Sequence, residues 1–216
     1  MIDPNNILYY SIIFLLLLFF VIYYLYFYNF DNFENTNNHW KTTLKDNWMT
    51  IRDECLNVIS MVPITSENRN KFWDEIDKSN VKDKWLLGHE SIENTWLNYG
   101  LIIGYDFIQS NCERCPKTYK ILKTLVQNGL KIKVAGFSWL RPNSYIPFHT
   151  DPNDETVYHL GLLVPENKAY IHLKINNKDK IIYHKDGDLL TFDDNYSHSA
   201  VNNSSEERII LYLLIE

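Results

Sequence analysis

Cysteine is scarce in this chain. Three in 216 residues (Cys55, Cys112 and Cys115) cannot form a disulfide framework. Cys112 and Cys115 make a C-x-x-C, but no second pair exists to complete a four-thiolate site, and they read as two thiols at the entry to a helix. No glycine-rich loop that could cradle phosphate is present, nor a defensible Ser/His/Asp set, nor an internal repeat. Positive charge is also in deficit. A formal net charge of −6 argues against a general nucleic-acid surface, so nucleic acid is not expected as a partner.

What the chain does have is one long apolar run near its start. Ile7 to Tyr28 carries no charge and a single small polar residue, Ser11. At about 1.5 Å per residue the run can cross a hydrocarbon core of about 30 Å. A cleavable signal peptide would want a basic start, a shorter apolar run and small residues at its end. Here the start is MIDPNN and the end is filled with Tyr23, Tyr24, Tyr26 and Tyr28, which suit an interfacial belt. Residues 1–30 are therefore expected to be a transmembrane helix, 31–38 a polar Asn-rich linker, and 39–216 one globular domain. Lys41, Lys45 and Arg52 follow the run and no Lys or Arg precedes it, which favours a single-pass membrane protein with its domain in the cytosol.

Within the domain, residues 39–130 read as helical. Trp40, Leu44, Trp48, Ile51, Cys55 and Val58 recur at spacings of three and four, predicting a helix over 39–60. Ser66 offers an N-cap for a second helix over 66–79, and Pro116 a first-turn proline for a third reaching Leu130. From about Lys131 the pattern changes. Short β-type runs begin at Val134, Thr156, Tyr170, Lys180, Leu189, His198 and Arg208. Asn176-Asn177 and Asp186-Gly187-Asp188 between them suit hairpin turns. So many short strands in a short stretch predict a mainly β fold with flanking helices, a jelly roll over 131–216 of the double-stranded β-helix (cupin-like) form. The last run is apolar on both faces, so it should be a central strand with Arg208 at the barrel mouth.

On that framework lie His149, Asp151, His198 and Arg208. Residues i and i+2 of a strand share a face, so His149 and Asp151 can meet one metal if the strand runs on to Asp151. His198 is the best third ligand. Two histidines and a carboxylate are the usual set of a non-haem Fe(II) oxygenase, which keeps open positions for its other reactants. A guanidinium holds a carboxylate with two parallel bonds, so Arg208 suits the far carboxylate of 2-oxoglutarate. Asp-Pro-Asn is also ordinary turn chemistry. His39, His89, His172 and His184 are read as surface or core histidines without a ligand role.

Several segments resemble the aspartyl/asparaginyl β-hydroxylase family, which includes vertebrate peptide hydroxylases and bacterial lipid A hydroxylases. They are FSWLRPNSYIPFH (Phe137 to His149), HLGLLVP (His159 to Pro165), GDLLTFDDNYSH (Gly187 to His198) and ERIIL (Glu207 to Leu211). Trp96, Gly100 and CPKT (Cys115 to Thr118) are further landmarks. The resemblance covers about residues 85–216. It implies that His149 and His198 bind Fe(II) and that Ser138, His159 and Arg208 bind 2-oxoglutarate. Two positions depart from or divide the family. Val157 stands where many members have arginine. Asp151 is a carboxylate shared with the lipid A branch, while the vertebrate branch lacks one there. Vertebrate members face the secretory lumen, opposite to the charge-based orientation.

The expectation is a membrane-anchored Fe(II)- and 2-oxoglutarate-dependent dioxygenase. Its substrate would be an Asp or Asn side chain of a protein or a membrane lipid acyl chain. A catalytically silent jelly-roll binding module is the alternative, kept open by Val157. A zinc hydrolase could use the same His/Asp/His set, but leaves Arg208 without a task.

Overall fold

The computed structural model describes residues 16–23, 39–68, 78–88, 91–151, 154–176 and 178–216. The chain divides into two units, Met1–Thr42 and Thr43–Glu216. In the first, residues 16–23 are helical, and the rest of the expected 7–28 span and the 31–38 linker lie outside the described residues. Among the described residues no helix is long and apolar enough to cross a membrane.

In the second unit, the helix expected over 39–60 is broken by a turn at Asn47 and resumes as α1, Trp48–Met61. Asn47 spends its side chain on the Thr43 carbonyl at 2.8 Å, so it does not cap α1. The next stretch corrects the helical reading of 39–130, since it contains four strands: β1 (Ile64–Asn68), β2 (Trp85–Leu87), β3 (Trp96–Ile103) and β4 (Asp106–Phe107). Ser66 thus lies in a strand rather than at a helix start; residues 69–77 are outside the described residues. β3 is buried along nearly its whole length, so it lacks the alternation that marks a strand with one wet face. Two helices follow, α2 (Gln109–Glu113) and α3 (Pro116–Gln127), the latter with its proline in the first turn as expected. The carboxylate of Glu54 on α1 caps α3, accepting from the Lys117 and Thr118 backbone N–H groups at 2.9 and 2.7 Å and from the Thr118 hydroxyl. A carboxylate there satisfies otherwise unpaired donors and complements the helix dipole.

The remaining strands are β5 (Ile132–Leu140), β6 (Ser144–His149), β7 (Thr156–Leu163), β8 (Ala169–Ile175), β9 (Lys178–Tyr183), β10 (Leu189–Phe192), β11 (Ser197–Asn202) and β12 (Arg208–Ile215). They form two sheets. The larger runs β1-β2-β3-β5-β12-β7-β10 with β4 on β3, and the smaller runs β6-β11-β8-β9. From β5 to β8 successive strands alternate between the sheets, an arrangement consistent with the expected jelly roll. One apolar core draws on both sheets, joining Leu140, Val157, Phe192 and Leu214 to Ile146, Ile171, Leu173 and Ala200. β12 lies between β5 and β7 and is buried on both faces apart from partly exposed Tyr212, as its two apolar faces require.

The turns differ in kind. Asn176 has a φ of 49°, and the register Ile175↔Lys178 pairs β8 with β9 directly across this connection, whose other residue, Asn177, lies outside the described residues. Asp186-Gly187-Asp188 is not a hairpin. It carries the chain from β9 in the small sheet to β10 in the large one. Gly187 has a φ of 71°, and a Cβ there would lie 2.8 Å from the Trp48 indole nitrogen, so only glycine fits.

Candidate metal and anion site

β6 is the strand the sequence hides, because Pro147 interrupts a short run. Its pairing with β11 decides the site. Val201 faces Tyr145 and Ala200 faces Ile146, but the next pair is His198 with His149. Three steps along β6 therefore match two along β11, a β-bulge at Pro147-Phe148. Strict alternation would put His149 on the outer face with exposed Tyr145. The bulge turns it inward, beside His198. The Ser199 hydroxyl donates to the Ile146 carbonyl at 2.6 Å next to the irregularity.

The two histidine rings lie 4.2 Å apart, centroid to centroid. Each spends Nδ1 on the carbonyl two residues earlier, His149 on Pro147 at 2.7 Å and His198 on Tyr196 at 2.9 Å. A carbonyl only accepts, so Nδ1 carries the hydrogen and Nε2 keeps its lone pair in both rings. Asp151 completes the group, with Oδ2 3.7 Å from His149 Nε2. One ligand atom from each of His149, Asp151 and His198 lies within 4.8 Å of the others. The strand does not run on to Asp151, correcting the shared-face argument: β6 stops at His149. Asp151 is instead brought in by its backbone N–H, which donates to the Asp194 carbonyl at 3.1 Å. Burial, then the neighbouring His149, pulls the His198 pKa down, favouring the neutral imidazole that binds a metal. The donor set therefore fits a divalent transition metal that takes nitrogen and oxygen.

The Phe192 ring sits 5.1 Å from His198 and 5.3 Å from His159, centroid to centroid. His159 belongs to a second polar cluster. His159 projects from β7 and Arg208 from the start of β12, both buried. The third member is His184, just after β9, whose sequence setting suggests no ligand role. Its Nε2 lies 2.9 Å from Arg208 Nη2 and 3.1 Å from His159 Nδ1. Burial, then the Arg208 charge, holds both histidines far below their ordinary pKa, hence neutral. Burial alone pulls Arg208 down to about 9, which leaves it cationic at neutral pH. No carboxylate pairs with Arg208 among the described residues.

Ser138 shares this inner face, since β5 pairs Leu140 with Arg208 and Ser138 with Ile210. No hydrogen bond joins it to Arg208. Its oxygen accepts from Trp96 Nε1 at 2.9 Å, which leaves its own proton to give. Asn98 sits opposite Ser138 on β3 with a buried, unpartnered Nδ2. Asn98 and His184 are the polar groups that sequence reasoning missed. Val157 is 1% exposed and belongs to the apolar core.

A sequence model described as aspartyl/asparaginyl beta-hydroxylase matches residues 45–216. The chain is 29% identical over 125 residues to the Rhizobium tropici ornithine lipid ester-linked acyl 2-hydroxylase, covering 57% of this chain and 42% of that one. It is 31% identical over 116 residues to the Xenopus tropicalis aspartate beta-hydroxylase domain-containing protein 2, covering 52% and 30%. With the Homo sapiens aspartyl/asparaginyl beta-hydroxylase it shares 25% over 173 residues, 78% of this chain and 20% of that one. The matches span less than half the length of each relative. A solved oxidoreductase of the 2OG-Fe(II) oxygenase family from Burkholderia pseudomallei aligns with a TM-score of 0.46 at 11% identity, over 56% of this chain and 66% of that one.

Proposed function

The chain belongs to the aspartyl/asparaginyl β-hydroxylase family, and on that premise we propose that it is an Fe(II)- and 2-oxoglutarate-dependent hydroxylase on a double-stranded β-helix. The observation that carries the reading is the pairing of two clusters, each with a histidine against Phe192: two imidazoles whose Nε2 atoms lie beside a carboxylate, and a buried arginine that no carboxylate pairs among the described residues. His149, His198 and Asp151 would hold the iron. Arg208 and Ser138 would hold the distal carboxylate of 2-oxoglutarate, with His159 towards the metal end.

Iron, O2 and 2-oxoglutarate together supply the oxidising chemistry: the keto acid becomes succinate and CO2, and one oxygen atom enters a substrate C–H bond. The chain's own contribution is orientation and shielding. The Pro147 and Tyr196 carbonyls fix both ligand tautomers, and Phe192 packs against a histidine of each cluster. Trp96 holds the Ser138 oxygen so that its hydrogen is the one offered.

The substrate is a protein Asp or Asn side chain or a lipid acyl chain. Residues 7–28 would anchor the enzyme in a membrane, with the domain on the cytosolic side by the positive-inside rule. The test is succinate formation by purified protein given Fe(II), O2 and 2-oxoglutarate. Arg208→Met should abolish it. Wild-type protein that binds Mn(II) but not 2-oxoglutarate would instead support a silent binding module, the reading that the apolar setting of Val157 favours.

A further inference from the structure

Arg208 is 1% exposed and His184 2% exposed. Among the described residues, Arg208 meets two imidazole nitrogens, His184 Nε2 at 2.9 Å and His159 Nδ1 at 3.5 Å, both from Nη2. A guanidinium can only donate. The shorter contact therefore fixes the His184 proton: Nε2 holds the lone pair and Nδ1 the hydrogen. His159 Nδ1, 3.1 Å from that same lone pair, avoids repulsion by carrying a hydrogen, and so shares the lone pair with Arg208 as a second donor. Its 3.5 Å approach to Arg208 is then donor against donor and binds nothing.

That assignment leaves an imbalance. His184 Nδ1–H is buried without a partner, and so is Arg208 Nε–H. The cluster holds one cation and spare donors and no anion. Buried polar groups are nearly always paired, and an unpaired set needs an explanation. An ionised carboxylate, which only accepts, is the group that answers it.

His184 is well anchored for a role through Arg208. Its backbone N–H donates to Ala169 at 2.9 Å, and its ring lies nearly parallel to that of His159, 5.4 Å away at 12°. We propose that His184 is a positioning residue for 2-oxoglutarate: its neutral Nε2 holds Nη2 of Arg208 and sets the guanidinium plane, so that the remaining N–H groups meet the distal carboxylate. The proposal rests on the reading of this cluster as the 2-oxoglutarate pocket.

The test uses the full chain loaded with Mn(II), titrated calorimetrically with 2-oxoglutarate and with 2-oxobutanoate, which lacks the distal carboxylate. His184→Phe fills the volume but cannot accept. It should weaken 2-oxoglutarate about 10- to 100-fold, the span of one hydrogen bond to a charged group. Binding of 2-oxobutanoate should not change. His184→Gln restores an acceptor near the Nε2 position and should bring 2-oxoglutarate back to within about threefold of wild type. Wild-type 2-oxoglutarate affinity in His184→Phe overturns the proposal, as does an equal loss for both keto acids, which marks a structural role. So does a His184→Gln that binds as poorly as His184→Phe. Should both variants fail to fold, the ring nitrogen shifts of ¹⁵N-labelled wild type decide: hydrogen on Nδ1 supports the assignment and hydrogen on Nε2 overturns it. Wild type that ignores 2-oxoglutarate altogether refutes the pocket reading itself, and this proposal with it, before any variant is made.

Discussion

The two halves of the barrel interior use histidine in opposite ways. On the metal side, His149 and His198 take their tautomers from carbonyls two residues back in the chain, and Asp151 beside them is partly exposed. On the anion side, His159, His184 and Arg208 are buried and define one another across three separate stretches of chain. The first half sets its tautomers locally, and one strand pairing, β6 on β11, brings its rings together. The second exists only once β7, β9 and β12 are in place. Metal binding should therefore be separable from co-substrate binding, while the anion side should be sensitive to whatever disturbs the packed core.

The largest effect should come from emptying the metal half alone. His149→Ala with His198→Ala removes both Nε2 donors, and Mn(II) or Fe(II) binding should fall below detection by calorimetry while the protein still melts cooperatively. Metal binding as tight as wild type would refute the assigned site. Asp151→Gly grades the result. If the carboxylate ligates, affinity falls sharply; near-wild-type affinity leaves a two-histidine site.

Next is Arg208→Met, which should cost about 2–5 kcal/mol of 2-oxoglutarate binding, as when one partner of a buried charge pair is lost. Metal affinity should hold. The ligand-free melting temperature should stay level or rise, because the change removes an uncompensated buried charge. A fall in metal affinity would mean that the halves are not separable.

Acid distinguishes them in a graded way. Burial, then the Arg208 charge, depresses the pKa of His159 and His184. Unfolded histidine titrates near 6.5. Below about pH 6.5 the unfolded chain takes up protons that the folded cluster refuses, so stability falls with pH by about 1.4 kcal/mol per unit for each such histidine. Above that range the stability is fully present. Urea midpoints of metal-free protein at several pH values measure the slope, and His184→Gln should reduce it. An unchanged slope in that variant would mean that His184 titrates normally.

What the sequence discloses follows the same division. The β12 pattern and the order of His149, Asp151, His198 and Arg208 are visible because they depend on neighbours in the chain. The inward turn of His149 is not, because it depends on how β6 pairs with β11 across a bulge. β3 escaped because both its faces are buried and its pattern does not alternate. His184 sits between Tyr183 and Lys185, both exposed, and reads as surface. One signal was present: alternation carried on from Ile182, which packs on the core, through exposed Tyr183, points His184 inward. Its partner Arg208 is 24 residues away, beyond any local pattern.

Ser138→Ala should give the smallest change and sharpens the boundary of the anion half. The Ser138 oxygen accepts from Trp96 Nε1 and no hydrogen bond ties it to Arg208, so its link to the co-substrate is one neutral donor. Losing it should weaken 2-oxoglutarate by about 1 kcal/mol, roughly fivefold, against the much larger loss for Arg208→Met. Alanine also leaves the Trp96 N–H without its acceptor, so part of the cost falls on the fold and shows as a lower melting temperature without ligand. Titrating 2-oxobutanoate separates the two contributions. A hydroxyl that meets the distal carboxylate is silent towards the shorter keto acid. If Ser138→Ala weakens both acids equally, the serine serves through Trp96 at the metal end of the pocket, and the anion half consists of Arg208 and its two histidines.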